Sequence, residues 1–167
     1  MKKFAMIVAL IALLLCGATL FGISQATLQV DAQDALVMPA DTQLGEFTRL
    51  MGLLDHNAVR GTVFDKAVTG DPNDYTILRY TLRVKNGGFL PAKMLEAMVV
   101  PAKGDVLCYS QQDAQGQDVN QPLNLAPGQE TTLHCYLLTK RGMHAVRELH
   151  ITYYIWGHPF LVKITYG

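Results

Sequence analysis

Residues 75–85 read YTILRYTLRVK, the most constraining stretch of the chain. Leu78, Tyr80, Leu82 and Val84 fall on one side and Arg79, Thr81, Arg83 and Lys85 on the other. A period of two belongs to a strand with one face on a core and one in water; a helix would repeat every 3.6 residues. Asp71-Pro72-Asn73-Asp74 before the run is turn chemistry, and Asn86-Gly87-Gly88 after it tolerates positive φ.

Shorter runs rich in β-branched and aromatic residues predict further strands over 58–64, 94–100, 105–110, 131–139, 147–156 and 160–166. A polar, Gln-rich stretch from Gln111 to Gln121 reads as a loop, and Gly157-His158-Pro159 joins the last two strands. About seven strands at this spacing predict an all-β domain, a β-sandwich over residues 45–167. No segment after the leader carries a convincing helical stripe, although 45–54 is ambiguous. Residues 27–44, with three aspartates and no aromatic side chain, are expected to form a spacer with room for an edge strand.

The first 26 residues, MKKFAMIVALIALLLCGATLFGISQA, differ from everything that follows. Lys2 and Lys3 precede an uncharged run from Phe4 to Gln25, which keeps the N-terminus inside and sends the rest of the chain outside. Ser24 and Ala26 are small residues where a signal peptidase reads, so this leader is either a cleaved signal peptide or a retained anchor spanning a ~30 Å hydrocarbon core. Cys16 offers a lipidation site, but Leu15 occupies the position where that processing takes a small residue. The expected location is extracytoplasmic, secreted or membrane-anchored.

Charge narrows the partners. The chain has 14 basic and 14 acidic residues, and losing Lys2 and Lys3 with the leader leaves 12 against 14. A weakly acidic domain lacks the basic footprint that phosphate backbones attract, so nucleic acid is not an expected partner. Lys140-Arg141 is the sole adjacent basic pair after the leader, which leaves membrane contact to the N-terminal segment.

Val84-Lys85-Asn86-Gly87-Gly88, with Pro91-Ala92 shortly beyond, and Leu125-Ala126-Pro127-Gly128-Gln129 resemble two turns of the immunoglobulin-like accessory modules of bacterial surface proteins, the cell-adhesion-related type included. The resemblance covers roughly residues 75–138. It implies a seven-stranded sandwich in which those turns link strands, and it brings no catalytic residues.

With the leader removed, two cysteines remain, Cys108 and Cys135, each inside a predicted strand. They are either a disulfide, which an oxidising exterior permits, or two buried thiols. No Cys-x-x-Cys or His-x-x-x-His spacing occurs, so neither metal nor cofactor is expected. The run Thr131-Thr132-Leu133-His134-Cys135 is similar to the Thr-Leu-x-Thr-Cys of sortase transpeptidases, which are also all-β and N-terminally anchored. That likeness implies Cys135 as nucleophile, His56 as base, and Arg141 or Arg147 as the cation at the oxyanion. The run is one residue short, and Leu137 and Leu138 continue the strand past the cysteine. Ser110, the one serine after the leader, has no Gly-x-Ser-x-Gly around it. Asp71 and Asp74 could share a calcium ion with Asn73, but Asp-Pro-Asn-Asp is ordinary turn chemistry without calcium-loop spacing.

The densest aromatic stretch is ITYYIWGHPF, residues 151–160. If Leu149, Ile151, Tyr153 and Ile155 face the core, then His150, Thr152, Tyr154 and Trp156 face outward as a platform for sugars or protein contacts. The alternative puts Trp156, the one tryptophan, in the core. The expected function is a non-catalytic surface module for adhesion, scaffolding or assembly, with a cell-surface protein or glycan as partner. A glycan- or peptide-binding domain and a sortase-like cysteine transpeptidase are the alternatives.

Overall fold

The computed structural model describes residues 2–24, 27–56, 61–66, 68–112 and 123–166. The leader forms one helix, α1 (Lys2–Ser24), and no residue of its apolar span is buried. This helix is long and apolar enough to cross a bilayer.

Beyond it the described residues form nine strands, one further α-helix and two short 3-10 turns at Ala40–Thr42 and Pro72–Asp74. In chain order these are β1 (Leu28–Pro39), α2 (Leu44–His56), β2 (Gly61–Val63), β3 (Tyr75–Asn86), β4 (Ala92–Val99), β5 (Asp105–Gln112), β6 (Leu123–Leu125), β7 (Glu130–Lys140), β8 (Arg147–Ile155) and β9 (His158–Tyr166). They build two antiparallel sheets, one in the order β1-β3-β7-β5-β2 and the other β6-β4-β8-β9.

The sheets share one core. Leu78, Tyr80, Leu82 and Val84 of β3, with Leu133, Cys135 and Leu137 of β7, meet Leu95, Ala97 and Val99 of β4 and Leu149, Ile151 and Tyr153 of β8. These are the alternating apolar positions of each strand, so the period of two in the sequence is the cause of the layering.

Three stretches are sharper in this architecture than in the sequence. Strands number nine among the described residues, not about seven, because β1 and the three-residue β6 add to the runs read from sequence. Most of the stretch expected as a spacer with room for an edge strand is β1, an edge strand that pairs along β3 from Leu28↔Asn86 to Pro39↔Thr76. The ambiguous stretch 45–54 lies within α2. Phe47, Leu50, Met51 and Leu54 recur at the spacing of one helix face, which packs on the outer side of the five-stranded sheet against Tyr75, Ile77, Leu107, Tyr109 and Leu138. The first half of β3 is therefore buried on both faces, which no alternation within β3 itself reveals. The Gln-rich loop lies outside the described residues over 113–122, and Gln111 and Gln112 close β5.

Candidate functional site

Three turns and the start of β1 gather at one end of the domain, where α1 arrives. Asn86, the last residue of β3, is buried and joins two of them. Its Nδ2 donates to Leu90 O at 2.8 Å, within the β3–β4 turn, and to Leu125 O at 3.0 Å, at the end of β6. Its Oδ1 accepts from Gly88 N at 3.0 Å, and its backbone bonds both Gln129 and Gly128. The Asn-Gly-Gly and Leu-x-Pro-Gly segments, far apart in sequence, are thus locked together by one side chain. Gly87 N donates to Thr27 O at 2.9 Å, which fixes the point where the chain enters from α1.

The third turn joins β8 to β9. Ile155 pairs with His158, so the turn has two central residues, Trp156 at φ 48° and Gly157 at φ 79°. Positive φ at both positions suits a hairpin turn matching the twist of its strands, usually built from Asn-Gly. Here tryptophan holds the first position, and its ring is 57% exposed. Tyr154 is exposed on the outward face of β8, and Thr152 and His150 are half-buried on that face, while Leu149, Ile151, Tyr153 and Ile155 point into the core. The expected alternation therefore holds along β8, with Trp156 outside the core.

The four outward residues are spread along the length of β8 and its turn. His150 stands six residues from Trp156, ~20 Å along an extended strand. Its Nε2 lies 2.6 Å from Glu148 Oε1, and Lys163 Nζ stands 3.9 Å from that same oxygen. The His150 hydrogen bond, with Lys163 nearby, holds the Glu148 carboxyl below its ordinary range. His150 thus belongs to a surface ion cluster, and only Tyr154 lies near Trp156. Leu90 and Trp156 both stand beside Gly22 of α1, and the same end of the domain carries the exposed Phe89, next to Leu90 in the β3–β4 turn, and Met94, which is exposed at a bulge near the start of β4 with φ 54°.

Cys108 and Cys135 come together in the core. They sit on neighbouring strands but not directly opposite, since Cys108 pairs with Leu137 and Cys135 with Ser110. Their Sγ atoms are 3.3 Å apart, both are thiols, and Cys135 Sγ is also 3.6 Å from Ala97 O of the facing sheet. The bond to Cys108 and complete burial raise the Cys135 thiol well above its ordinary pKa. A nucleophilic cysteine needs the opposite, an accessible thiolate.

The two arginines of the sortase-like reading are engaged elsewhere. The Arg147 guanidinium is bound to Asp105 and Arg141 to Asn73 O, and the His56 side chain lies outside the described residues. His134 points away from Cys135 along the strand alternation, its Nδ1 3.3 Å from Thr81 Oγ1. Ser110 is fully buried beside Cys135. In the Asp-Pro-Asn-Asp turn, Asp71 Oδ1 accepts from Asn73 N and Nδ2, both 2.9 Å, which lowers the Asp71 pKa. Asp74 Oδ2 accepts from Thr69 at 2.8 Å. Both carboxylates serve the turn, and no cluster of three or more metal-ligating side chains occurs among the described residues.

Sequence reasoning missed Leu90, Phe89 and Met94. The signal available was three apolar residues within or beside turn chemistry, where polar ones are usual. Compared with known proteins, the chain matches no family model and no curated protein.

Proposed function

We propose that the chain is an exported, membrane-tethered and non-catalytic immunoglobulin-like module that serves surface adhesion, scaffolding or assembly. Strand order supports the immunoglobulin-like reading. Leaving aside the short β2 and β6, the sheets run β1-β3-β7-β5 and β4-β8-β9. Numbered in sequence, that is first, second, fifth, fourth facing third, sixth, seventh, the order of constant-type immunoglobulin sandwiches. The leader's polarity, lysines first and then an uncharged helix, supports export.

The observation that carries the assembly role is the edge made by β9. Nine residues long, it pairs with β8 alone, and beyond Pro159 near its start its one charged residue is Lys163. Such an edge presents unpaired backbone groups to another extended chain, whereas β1, at the edge of the other sheet, is guarded by Asp31 and Asp34. The partner on this reading is a surface protein that adds a strand to β9.

Two measurements on intact cells test the proposal. External protease is expected to remove the domain from sealed cells, and a photo-crosslinking side chain at Leu161, exposed on β9, is expected to trap a surface protein. Full protection from protease overturns export. Protease sensitivity with no crosslinked product from Leu161 overturns assembly through β9.

A glycan- or peptide-binding role remains the second reading, favoured by the exposed Trp156 and Tyr154. It applies to a chain released from its leader, because α1 occupies one side of Trp156 when attached.

A further inference from the structure

We infer that the end of the domain bearing Phe89, Leu90, Met94 and Trp156 seats on the lipid interface of the bilayer crossed by α1, so that the domain stands on the membrane instead of swinging from it. This rests on the reading that α1 is retained as an anchor.

The height of the seat follows from helix geometry. The 23 residues of α1 are about 34 Å long at 1.5 Å per residue, enough to cross a hydrocarbon core of about 30 Å. Gly22 lies in the last turn and so at the membrane boundary. A Cβ placed on Gly22 would stand 3.3 Å from Leu90 Cδ1 and 3.7 Å from Trp156 Cη2, so these two side chains share its level. Gly22 and Ile23 are partly covered, whereas residues 3–21 are exposed all round. The connection leaves little slack. Three residues separate Ser24 from Leu28, and Gly87 N holds Thr27 O.

The chemistry of this end fits the interface. Tryptophan favours the boundary between headgroups and acyl chains, where its ring is apolar on one side and its N–H meets water. Phe89 is 69% and Met94 59% exposed, apolar surface that water does not favour. Residues 86–94, 124–129 and 154–159 contain no aspartate or glutamate to repel lipid phosphates, and Lys93 supplies a cation. The non-glycine residues with positive φ among those described are Met94 and Trp156, both at this end. The left-handed region is unfavourable for an L-residue, so two exposed apolar side chains are held there against local preference.

Trp156 is the single tryptophan, so its emission reports this end alone. The full chain is reconstituted into vesicles of phosphatidylcholine and phosphatidylglycerol, with and without bromines near the headgroup end of the acyl chains. The chain is expected to float with vesicles after an alkaline carbonate wash, and bromination is expected to cut Trp156 emission at least about twofold, as for a ring at the interface. In a Trp156→Tyr background, tryptophan introduced at the exposed Leu44 is expected to be unaffected, because Leu44 lies beyond the far end of β1, ~36 Å away along a twelve-residue strand. A retained chain whose Trp156 ignores bromine and is quenched by aqueous iodide overturns the seat and leaves the anchor standing. Equal quenching at both positions overturns it too, since the domain then lies flat. A chain that washes off the vesicles overturns the anchor, and the seat with it.

Discussion

The Arg147 guanidinium at the head of β8 binds the Asp105 carboxylate at the head of β5 through two parallel hydrogen bonds, Nη2 to Oδ1 at 2.8 Å and Nε to Oδ2 at 3.0 Å, and so ties one sheet to the other. Both residues are buried. Ala102 N also donates to Asp105 Oδ2 at 2.8 Å, and Arg147 Nη1 donates to the carbonyls of His144 and Val146 at 2.6 and 2.8 Å. Removing one partner strands a charge in the interior, which typically costs about 3–5 kcal/mol, while replacing both by apolar residues is often far less damaging. Arg147→Met is therefore expected to destabilise the domain by about 3–5 kcal/mol, and Asp105→Leu with Arg147→Met by clearly less. Urea unfolding of the two variants checks this; a single-variant loss below about 1 kcal/mol would place the pair with ordinary surface bridges.

Asn86 is the second such device, and it holds turns instead of sheets. Asn86→Ala leaves Leu90 O, Leu125 O and Gly88 N without their side-chain partner in a buried place, and each group left unpaired costs about 1–3 kcal/mol. The expected total is at least about 2 kcal/mol. Asn86→Asp is expected to rescue little. A carboxylate still accepts from Gly88 N, but it turns an acceptor toward the two carbonyls that Nδ2 served. Full stability of Asn86→Asp would show that the donor bonds to Leu90 and Leu125 contribute nothing.

What the sequence made legible was whatever depends on one strand alone. The alternation in residues 75–85 and 147–155 placed Leu82, Val84, Leu149 and Ile151 in a core, and that is where they lie. The apolar face of α2 was written just as openly in Phe47, Leu50, Met51 and Leu54, but Gly45 and Gly52 lower its helix propensity and the run is short. Burial of Tyr75 and Ile77 beneath that helix depends on a partner outside β3 and has no local signature. The meeting of Cys108 with Cys135 needs the register between β5 and β7. The hairpin at Trp156-Gly157 was illegible for a different reason: tryptophan stands where turn chemistry leads one to look for asparagine.

The cysteine pair gives a prediction in pH. In the reduced protein the Cys135 pKa is raised by its bond to Cys108 and by burial, so the folded state keeps a proton that the unfolded chain gives up near its ordinary value of ~8.5. Above that pH the unfolded state binds fewer protons, and stability falls as pH rises. Reduced protein is expected to lose stability steadily from about pH 8 to pH 10, and its folded form to resist iodoacetamide. Oxidation to a Cys108–Cys135 bridge abolishes this slope. Closing a loop of 26 intervening residues adds roughly 3.5 kcal/mol in the chain-entropy model, set against any strain of the diagonal placement. Chemical unfolding across that pH range, with and without reductant, measures both effects. Identical pH slopes for the two forms would show that Cys135 does not titrate differently on folding.

Trp156 separates stability from function. Its backbone sits at φ 48°, where asparagine is at ease and a bulky side chain is strained, and its ring is largely exposed. In residues 27–167, free of α1, Trp156→Asn is expected to raise stability by about 1 kcal/mol, because the Asn-Gly pair it creates is the preferred type I′ hairpin turn. Far-ultraviolet circular dichroism follows the unfolding, since the tryptophan signal is gone. In the full chain the same substitution removes the ring that meets Gly22 of α1, so the domain is expected to be held less closely to the bilayer, with faster rotation in vesicles by spin label at Tyr154. A tryptophan kept where it weakens its own hairpin makes sense if its role lies outside the fold. A loss of stability in Trp156→Asn without α1 would instead assign the ring to the packing of the sandwich.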